Sequence, residues 1–590
     1  MKLRHMQPMQ ATSQAQRAGG ARSDDAPDAV VIGAGHNGLV AANLLADQGW
    51  DVVVCEATPQ LGGAVRSAEV TSPGYLSDLF SAFYPLSAAS PVLRALELDR
   101  YGLHWTHSPS VLAHVFPDDR CAVLSRDLDQ TAASVEEFAA GDGAAWRAMA
   151  EQWESIRQPL IDALFTPLPA LGPALRLLGG LGGAGALRMA RMALLPVRRL
   201  GEERFNGAGA PILLAGNALH ADLPPEGAGS AIYGWLLAML GQSYGFPVPV
   251  GGAGMLTQSL ANRLAAGGGT LRLSSPVESI EISDGAAVAV RLASGERIRA
   301  RRAVLADVTA PALYRDLVGE ANLPAGFVAD LDNFQWDSPT LKIDWAVRSK
   351  VPWTAAGARG AGTVHLGVDL DGLTRYAADL ATRQIPRQPF LLFGQMTTAD
   401  PSRSPAGTES AWAYTHLPPG VEFSDEAIAE HVDRVEATVE RHAPGFADLV
   451  AGRYVQSPLR LEQENPSLVH GAVNGGTAQL HQQLVFRPVP GFGGASTPID
   501  RLFLSGSSAH PGGGVHGAPG SNAARAALAR NGLLGGGRRK ASELVMGRLY
   551  RGSAGERHAV DGGSSGERHA VDGGSAGESR ALAGEPGSLS

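Results

Sequence analysis

The sequence predicts an α/β protein in which a discontinuous Rossmann-type dinucleotide-binding domain carries an inserted α+β domain. Three observations lead there. A strand, a glycine-rich turn, a helix, a second strand and an acid follow one another in register from Asp28 to Glu56. Short strands around turns occupy Gly267–Arg302. A last strand, Leu502–Leu504, runs into a glycine-rich loop and the helix-like Ser521–Arg530. The expected organisation places the dinucleotide-binding domain at 27–90, 241–332 and 486–538. Between its parts lie a helical segment at 91–240 and a sheet-containing segment at 333–485. A 26-residue extension and a tail from 539 to 590 flank them.

Taken in order, Asp28–Ile32 reads as a buried strand, Leu39–Asp47 as a helix and Val52–Cys55 as a second strand. Residues 140–240 are rich in Leu, Ala and Gly and read as mainly helical. Leu271–Ser274, Val277–Ser283, Ala287–Leu292 and Arg297–Ala300 read as strands around turns at Asp284-Gly285 and Ser294-Gly295. The tail repeats SAGERHAVDGG as SSGERHAVDGG. Each copy carries Gly-Gly and little apolar content, so disorder is expected rather than a helical array.

Bulk properties narrow the function classes. At 590 residues, 44% hydrophobic and 18% charged, the chain has material for two or three units and a sizeable interior. A net charge of −9 without a basic run in the body argues against nucleic-acid binding. The two cysteines, Cys55 and Cys121, are far apart, which disfavours a disulfide scaffold, a cysteine metal site and a redox dithiol. No metal is expected. There is no apolar run of membrane-spanning length. The basic first 23 residues lack the apolar core of a secretory signal, so the expected location is cytoplasmic. A mitochondrial matrix location follows only if they form a presequence.

The turn Gly33-Ala34-Gly35-His36-Asn37-Gly38 carries the chemistry. Gly33 permits a tight turn, Gly35 a close backbone approach to a pyrophosphate, and Gly38 close packing of helix on strand. Free N–H groups and the positive helix end meet the phosphate charge. Glu56 ends the second strand 18 residues after Gly38, where an acid accepts from a ribose hydroxyl. Gly62-Gly63 suits a second backbone approach to the same cofactor, with Arg66 available to its diphosphate.

These residues, together with Phe246–Gly254, Val277–Ile280 and Leu502–Ala524, resemble the phytoene desaturase/carotenoid isomerase branch of the flavin amine oxidase superfamily. The likeness touches most of residues 28–530. It implies a glutathione-reductase-type fold, non-covalent FAD and an oxidoreductase. It further implies that Gly506 passes near the ribityl-phosphate and that the Val277 backbone packs on adenine. Many relatives have an acid where this chain has Ser507, whose hydroxyl can still bond to ribityl or phosphate oxygens. Gly512, Gly513 and Gly514, followed by Val515, strip side chains from a loop entering a helix, so its N–H groups can face the flavin pyrimidine. No second strand–GxGxxG–helix unit is evident, so no dedicated NAD(P) site is expected.

Lys342 is the first catalytic candidate. It is one of four lysines against 45 arginines and sits in a strand-like run, Ser338–Val347. In the resembling oxidases a strand lysine holds a water at flavin N5; the alternative is a lysine with its head in solvent. His510 is the second, as a proton shuttle, with His516 more suited to holding the loop. Tyr84, His220 and Asp222 are candidate substrate contacts, against readings as core and as surface turn. The Arg- and Met-bearing stretch Leu187–Leu200 suggests a peripheral membrane contact or a helix covering a tunnel.

The expectation is dehydrogenation of a largely apolar small molecule by hydride transfer to flavin N5, with oxygen, a quinone or a protein as electron acceptor. Redox-neutral isomerisation of a polyene-like substrate and a flavin-binding regulatory role with little turnover are the alternatives. Composition leaves the oligomeric state open.

Overall fold

The computed structural model describes residues 26–532, 536–537 and 550. The basic stretch 1–23 and the repeats at 553–574 fall outside them.

Continuous apolar runs make strands buried on both faces, as parallel sheets require. Ala29–Ile32 is fully buried and pairs in parallel with Val52–Cys55 on one side and Ala303–Ala306 on the other. Leu502–Leu504 and Thr270–Arg272 complete a five-stranded sheet. The helices His36–Ala46, Gly254–Ala266 and Ala518–Asn531 bury Leu39, Leu45, Leu256, Leu260 and Ala524 in one apolar cluster with this sheet. On the other side a three-stranded antiparallel sheet, Val277–Ser283, Ala286–Leu292 and Arg297–Arg299, packs through Ile280, Val290 and Ile298. Its two turns place Asp284, Gly285 and Gly295 at positive φ, as their sequences predict.

A second, seven-stranded sheet runs in the order 450–456, 340–347, 409–416, 391–395, 361–366, 110–115 and 121–124. One face is apolar: Leu341, Ile343, Trp345, Ala411 and Ala413 pack with Val432, Val435 and Val439 of the helix Asp425–His442. Because side chains alternate, Thr340, Lys342 and Asp344 point the other way. The register sets Lys342 opposite Tyr414 and Gln456, Thr340 opposite His416, and His365 opposite His114. The second face is therefore polar and aromatic, yet buried. It is covered in part by the helices Gly209–Leu219 and Ser230–Tyr244.

Residues 142–244 are helical over 142–165, 171–194, 197–204, 209–219 and 230–244. The expectation of a helical segment over all of 91–240 needs correction, since Ser110–Val115 and Cys121–Leu124 are strands of the seven-stranded sheet. The two pair with each other as a hairpin, but Ser110–Val115 joins the sheet through Ala361–Leu366, about 250 residues away and beyond the reach of local pattern. No described helix is long and apolar enough to cross a membrane.

Candidate active site

The glycine turn closes on itself as the spacing requires. A Cβ at Gly38 would collide with the Gly33 carbonyl oxygen, so helix and strand touch through backbone. Gly33 has φ +93°, which an L side chain resists. The Gly62 N–H donates to the Ala34 carbonyl at 2.9 Å, and a Cβ at Gly63 would lie 3.3 Å from Gly35 Cα. The two glycine pairs thus form one cradle. Glu56 closes its side: Oε2 accepts from the Ala34 N–H at 2.8 Å and Oε1 from Thr58. Val277 opens its strand two residues after Ser275, whose N–H donates to the Glu56 carbonyl at 2.8 Å. Arg66 reaches Glu464, donating through Nη2 to its carbonyl at 2.7 Å, while its buried Nε has no partner among the described residues.

Asp307 belongs to this cradle and escaped the sequence reading. It directly follows the strand Ala303–Ala306, and its Oδ2 accepts from the Gly38 N–H at 2.8 Å. A Cβ at Gly35 would lie 2.6 Å from the same oxygen. Burial pushes its carboxyl up to about 7, against the Gly38 hydrogen bond and with help from Glu56. The available signal was an acid immediately after a buried strand, the same pattern that marked Glu56.

The C-terminal loop faces the cradle. Gly506 owes its missing side chain to Val308, whose carbonyl a Cβ would strike, and the Ser507 carbonyl accepts from Arg487 at 2.8 Å. Arg487 is fully buried and also holds the carbonyls of 474–477, so it ties the loop Asn474–Thr477 against Gly512 and Gly513. Gly514 abuts Leu86, and the Val515 carbonyl accepts from Ser87 at 2.5 Å. Burial lowers His510 and His36 to about 4 and His516 to about 3, so all three imidazoles are neutral at pH 7. The buried atoms His36 Nε2, Asn37 Oδ1, Ser505 Oγ, His510 Nε2 and Asn522 Oδ1 have no hydrogen-bond partner among the described residues. Buried polar atoms are rarely left so. Their concentration around the glycine cradle and the Gly512–Gly514 loop, together with the ribose-side acid, fits a bound dinucleotide.

Lys342 is 3% exposed and forms an ion pair with Asp344. A solvated head is therefore ruled out. Burial raises Asp344 to about 6, outweighing the lowering by Lys342. Next to this pair, Arg403 joins Asp78 at 2.9 Å and Asp400 at 2.8 Å, all buried.

His220 and Asp222 are not on a surface turn. The His220 Nε2 lies 2.8 Å from His365 Nε2, and Asp222 Oδ1 lies 2.7 Å from His416 Nε2. His365 and His416 lay unnoticed in the sequence because their partners come from another element. Tyr84 is corrected as a substrate contact. It is 1% exposed in the core beneath the nucleotide-binding sheet, and its hydroxyl donates to the Ser81 carbonyl at 2.9 Å. Its neighbours Phe83 and Leu86 point instead into the apolar cluster beside the polar sheet face. The basic reading of Leu187–Leu200 also changes. Arg191, Arg198 and Arg199 pair with Glu203, Glu226, Asp371 and Glu202, leaving Arg188 without a carboxylate among the described residues. What the helix Leu171–Leu194 presents outward is leucine, at 171, 175, 178, 187 and 194.

The chain is similar to known proteins over most of its length. It is 28% identical over 570 residues to the mouse pyridine nucleotide-disulfide oxidoreductase domain-containing protein 2, covering 88% of this chain and 96% of that one. It is 24% identical over 504 residues to the neurosporene-forming phytoene desaturase of Rhodobacter capsulatus, covering 82% and 91%. The fold matches that of an oxidoreductase from Methanosarcina mazei, with a TM-score of 0.57 at 15% identity, covering 85% and 99%. It also matches putrescine oxidase bound to putrescine, with a TM-score of 0.55 at 16% identity, covering 85% and 98%. The model of the flavin containing amine oxidoreductases matches residues 38–528. With its nucleotide cradle and buried polar face in place, the chain belongs to the flavin containing amine oxidoreductase family and is an FAD-dependent oxidoreductase.

Proposed function

We propose that this oxidoreductase dehydrogenates a largely apolar organic molecule held between the polar sheet face and the helices that cover it. One observation carries the reading. Phe83, Leu86, Ile232, Tyr233 and Leu236 pack in the interior yet keep partial exposure, as side chains lining an internal space do, and Leu86 touches the Gly514 loop. Two relatives named for the hydrocarbons phytoene and limonene support the substrate class. FAD, held non-covalently and without a dedicated NAD(P) site, supplies hydride acceptance at N5. The apolar wall orients the substrate and excludes water. Lys342 Nζ, with Asp344 as counter-ion, holds a proton or a water on the sheet face, and His510, neutral at pH 7, accepts a proton at Nε2.

Oxygen, a quinone or a protein then takes the electrons. The five outward leucines of the helix 171–194 support a peripheral membrane contact, since Leu177, Leu181, Met189 and Met192 of the same helix reach the interior apolar cluster. The experiment is anaerobic mixing of the purified yellow protein with hydrocarbons, isoprenoids and amines. Bleaching of the flavin bands by the apolar class supports the reading. Bleaching by amines alone refutes it, and isomerised product with unbleached flavin moves the assignment to an isomerase.

A further inference from the structure

The polar sheet face is more polar than a hydrocarbon needs. His114, His365, His416 and Tyr414 on its strands meet His220 and Asp222 from the covering helix and its C-terminal turn. The group is layered. At its base Asp337 accepts from the N–H groups of Val473, Asn474 and Gly476, fixing the loop that Arg487 ties to the flavin-side glycines. Above it Asp222 accepts from the Ser338 N–H at 3.0 Å and pairs with His416. Burial alone would lower His416, but the Asp222 carboxylate 2.7 Å away outweighs it and raises the imidazole, favouring an ion pair between them.

The tautomers of the next pair follow from packing. His365 Nδ1 is buried without a partner among the described residues, and a Cβ on Gly216 would strike it. An N–H there would be a stranded donor, which is costlier than a stranded acceptor. His365 therefore carries its proton on Nε2 and donates to His220 Nε2, which puts the His220 proton on Nδ1. That Nδ1 has no partner among the described residues, nor is it sealed in. The Tyr414 hydroxyl likewise has no hydrogen-bond partner among the described residues; the residue is partly exposed, with its ring 5.5 Å from that of His416. Two donors without a partner among the described residues thus stand beside one apolar cluster: Tyr414 packs on it with Phe83, Leu86 and Tyr233, and the His220 ring lies 6.2 Å from Phe246 of the same cluster. The histidines His114 and His220 are lowered by burial to about 4 and about 3, Lys342 and His416 pair with Asp344 and Asp222, and Arg487 is consumed by carbonyls, so among the described residues no unpaired cation stands here to meet an anion.

We propose that Tyr414 and His220 bind an uncharged oxygen function, a hydroxyl or carbonyl, on an otherwise apolar substrate. The inference rests on the apolar-substrate reading and narrows it: the natural substrate carries an oxygen rather than being a pure hydrocarbon. Both are specificity residues. They leave hydride acceptance to the cofactor and select the molecule through hydrogen bonds that a hydrocarbon cannot return.

The test uses the FAD-loaded protein and three probes of one branched diterpenoid skeleton, phytene, phytol and phytenic acid, titrated at pH 8 through the perturbation of flavin absorbance. Phytol is expected to bind about tenfold tighter than phytene, for two hydrogen bonds to a neutral group, and phytenic acid no tighter than phytene. Tyr414→Phe should cut the preference for phytol about threefold, and Tyr414→Phe with His220→Leu should abolish it, with phytene binding unchanged. Flavin content reports folding. If the double variant loses flavin, Tyr414→Phe alone decides. Equal binding of phytene and phytol, or a preference untouched by Tyr414→Phe, overturns this inference while leaving the apolar reading standing. Tightest binding of phytenic acid overturns it too. Absence of binding by all three probes overturns both.

Discussion

Replacing Asp307 by Asn removes a carboxylate from the nucleotide cradle without removing its hydrogen bond, because an amide oxygen can still accept from the Gly38 N–H. Burial holds the Asp307 carboxyl at about 7, against an ordinary value of 3.8. Between these values the native apoprotein keeps a proton that the unfolded chain has released. The folded state then binds more protons, so stability falls as pH rises from about 4 to about 7 and levels off above it. A carboxyl carried that far costs at most about 4 kcal/mol once ionised. Water reaching the partly exposed group in the apoprotein reduces this to about 2 kcal/mol. Asn does not titrate. Urea unfolding of the flavin-free protein should therefore show Asp307→Asn equal to the parent near pH 4 and about 2 kcal/mol more stable near pH 8. A difference that does not grow with pH would refute the assignment of Asp307 as a carboxyl protonated by burial.

Three further variants probe separate parts of the molecule. Gly38→Ala forces a Cβ into the Gly33 carbonyl, so the purified protein should lose its flavin absorbance and unfold about 1–3 kcal/mol more easily. Lys342→Met should leave flavin content near normal and slow anaerobic flavin reduction by about 10²–10⁴-fold in stopped flow; an unchanged rate would remove Lys342 from the chemistry. It also strips Asp344 of its counter-ion, so the variant's loss of stability should be larger at pH 8 than at pH 5, where Asp344, already raised to about 6, takes up a proton. Changing Leu175, Leu178 and Leu187 together to Ser should abolish co-sedimentation with phospholipid vesicles. Binding by the parent protein should be nearly independent of salt, because three of the nearby arginines are already paired.

The nucleotide-binding half was legible because its requirements are local. Gly33, Gly35, Gly38 and Glu56 lie within 24 residues, and each has a backbone reason to be what it is. The strands Val277–Ser283 and Leu502–Leu504 lie where pattern and turns put them. Asp307 was missed although it follows a strand as Glu56 does, since no glycine signature stands beside it in sequence. Tyr84 was misassigned because an aromatic next to the cofactor segment can point either way, and only the turn into Pro85 sends Phe83 toward the apolar cluster beside the polar sheet face and Tyr84 toward the core under the nucleotide-binding sheet.

By itself, then, the sequence determined the cofactor class and the strand–turn–helix that holds it, since short-range sterics and the helix dipole dictate those residues. Only tertiary structure decided the buried polar sheet face. Lys342 meets Tyr414 72 positions away, and His220 meets His365 145 positions away, through pairings across a seven-stranded sheet and one covering helix. Such contacts carry no periodic trace along the chain. They arise because the sheet alternates its side chains and buries the polar face as well as the apolar one.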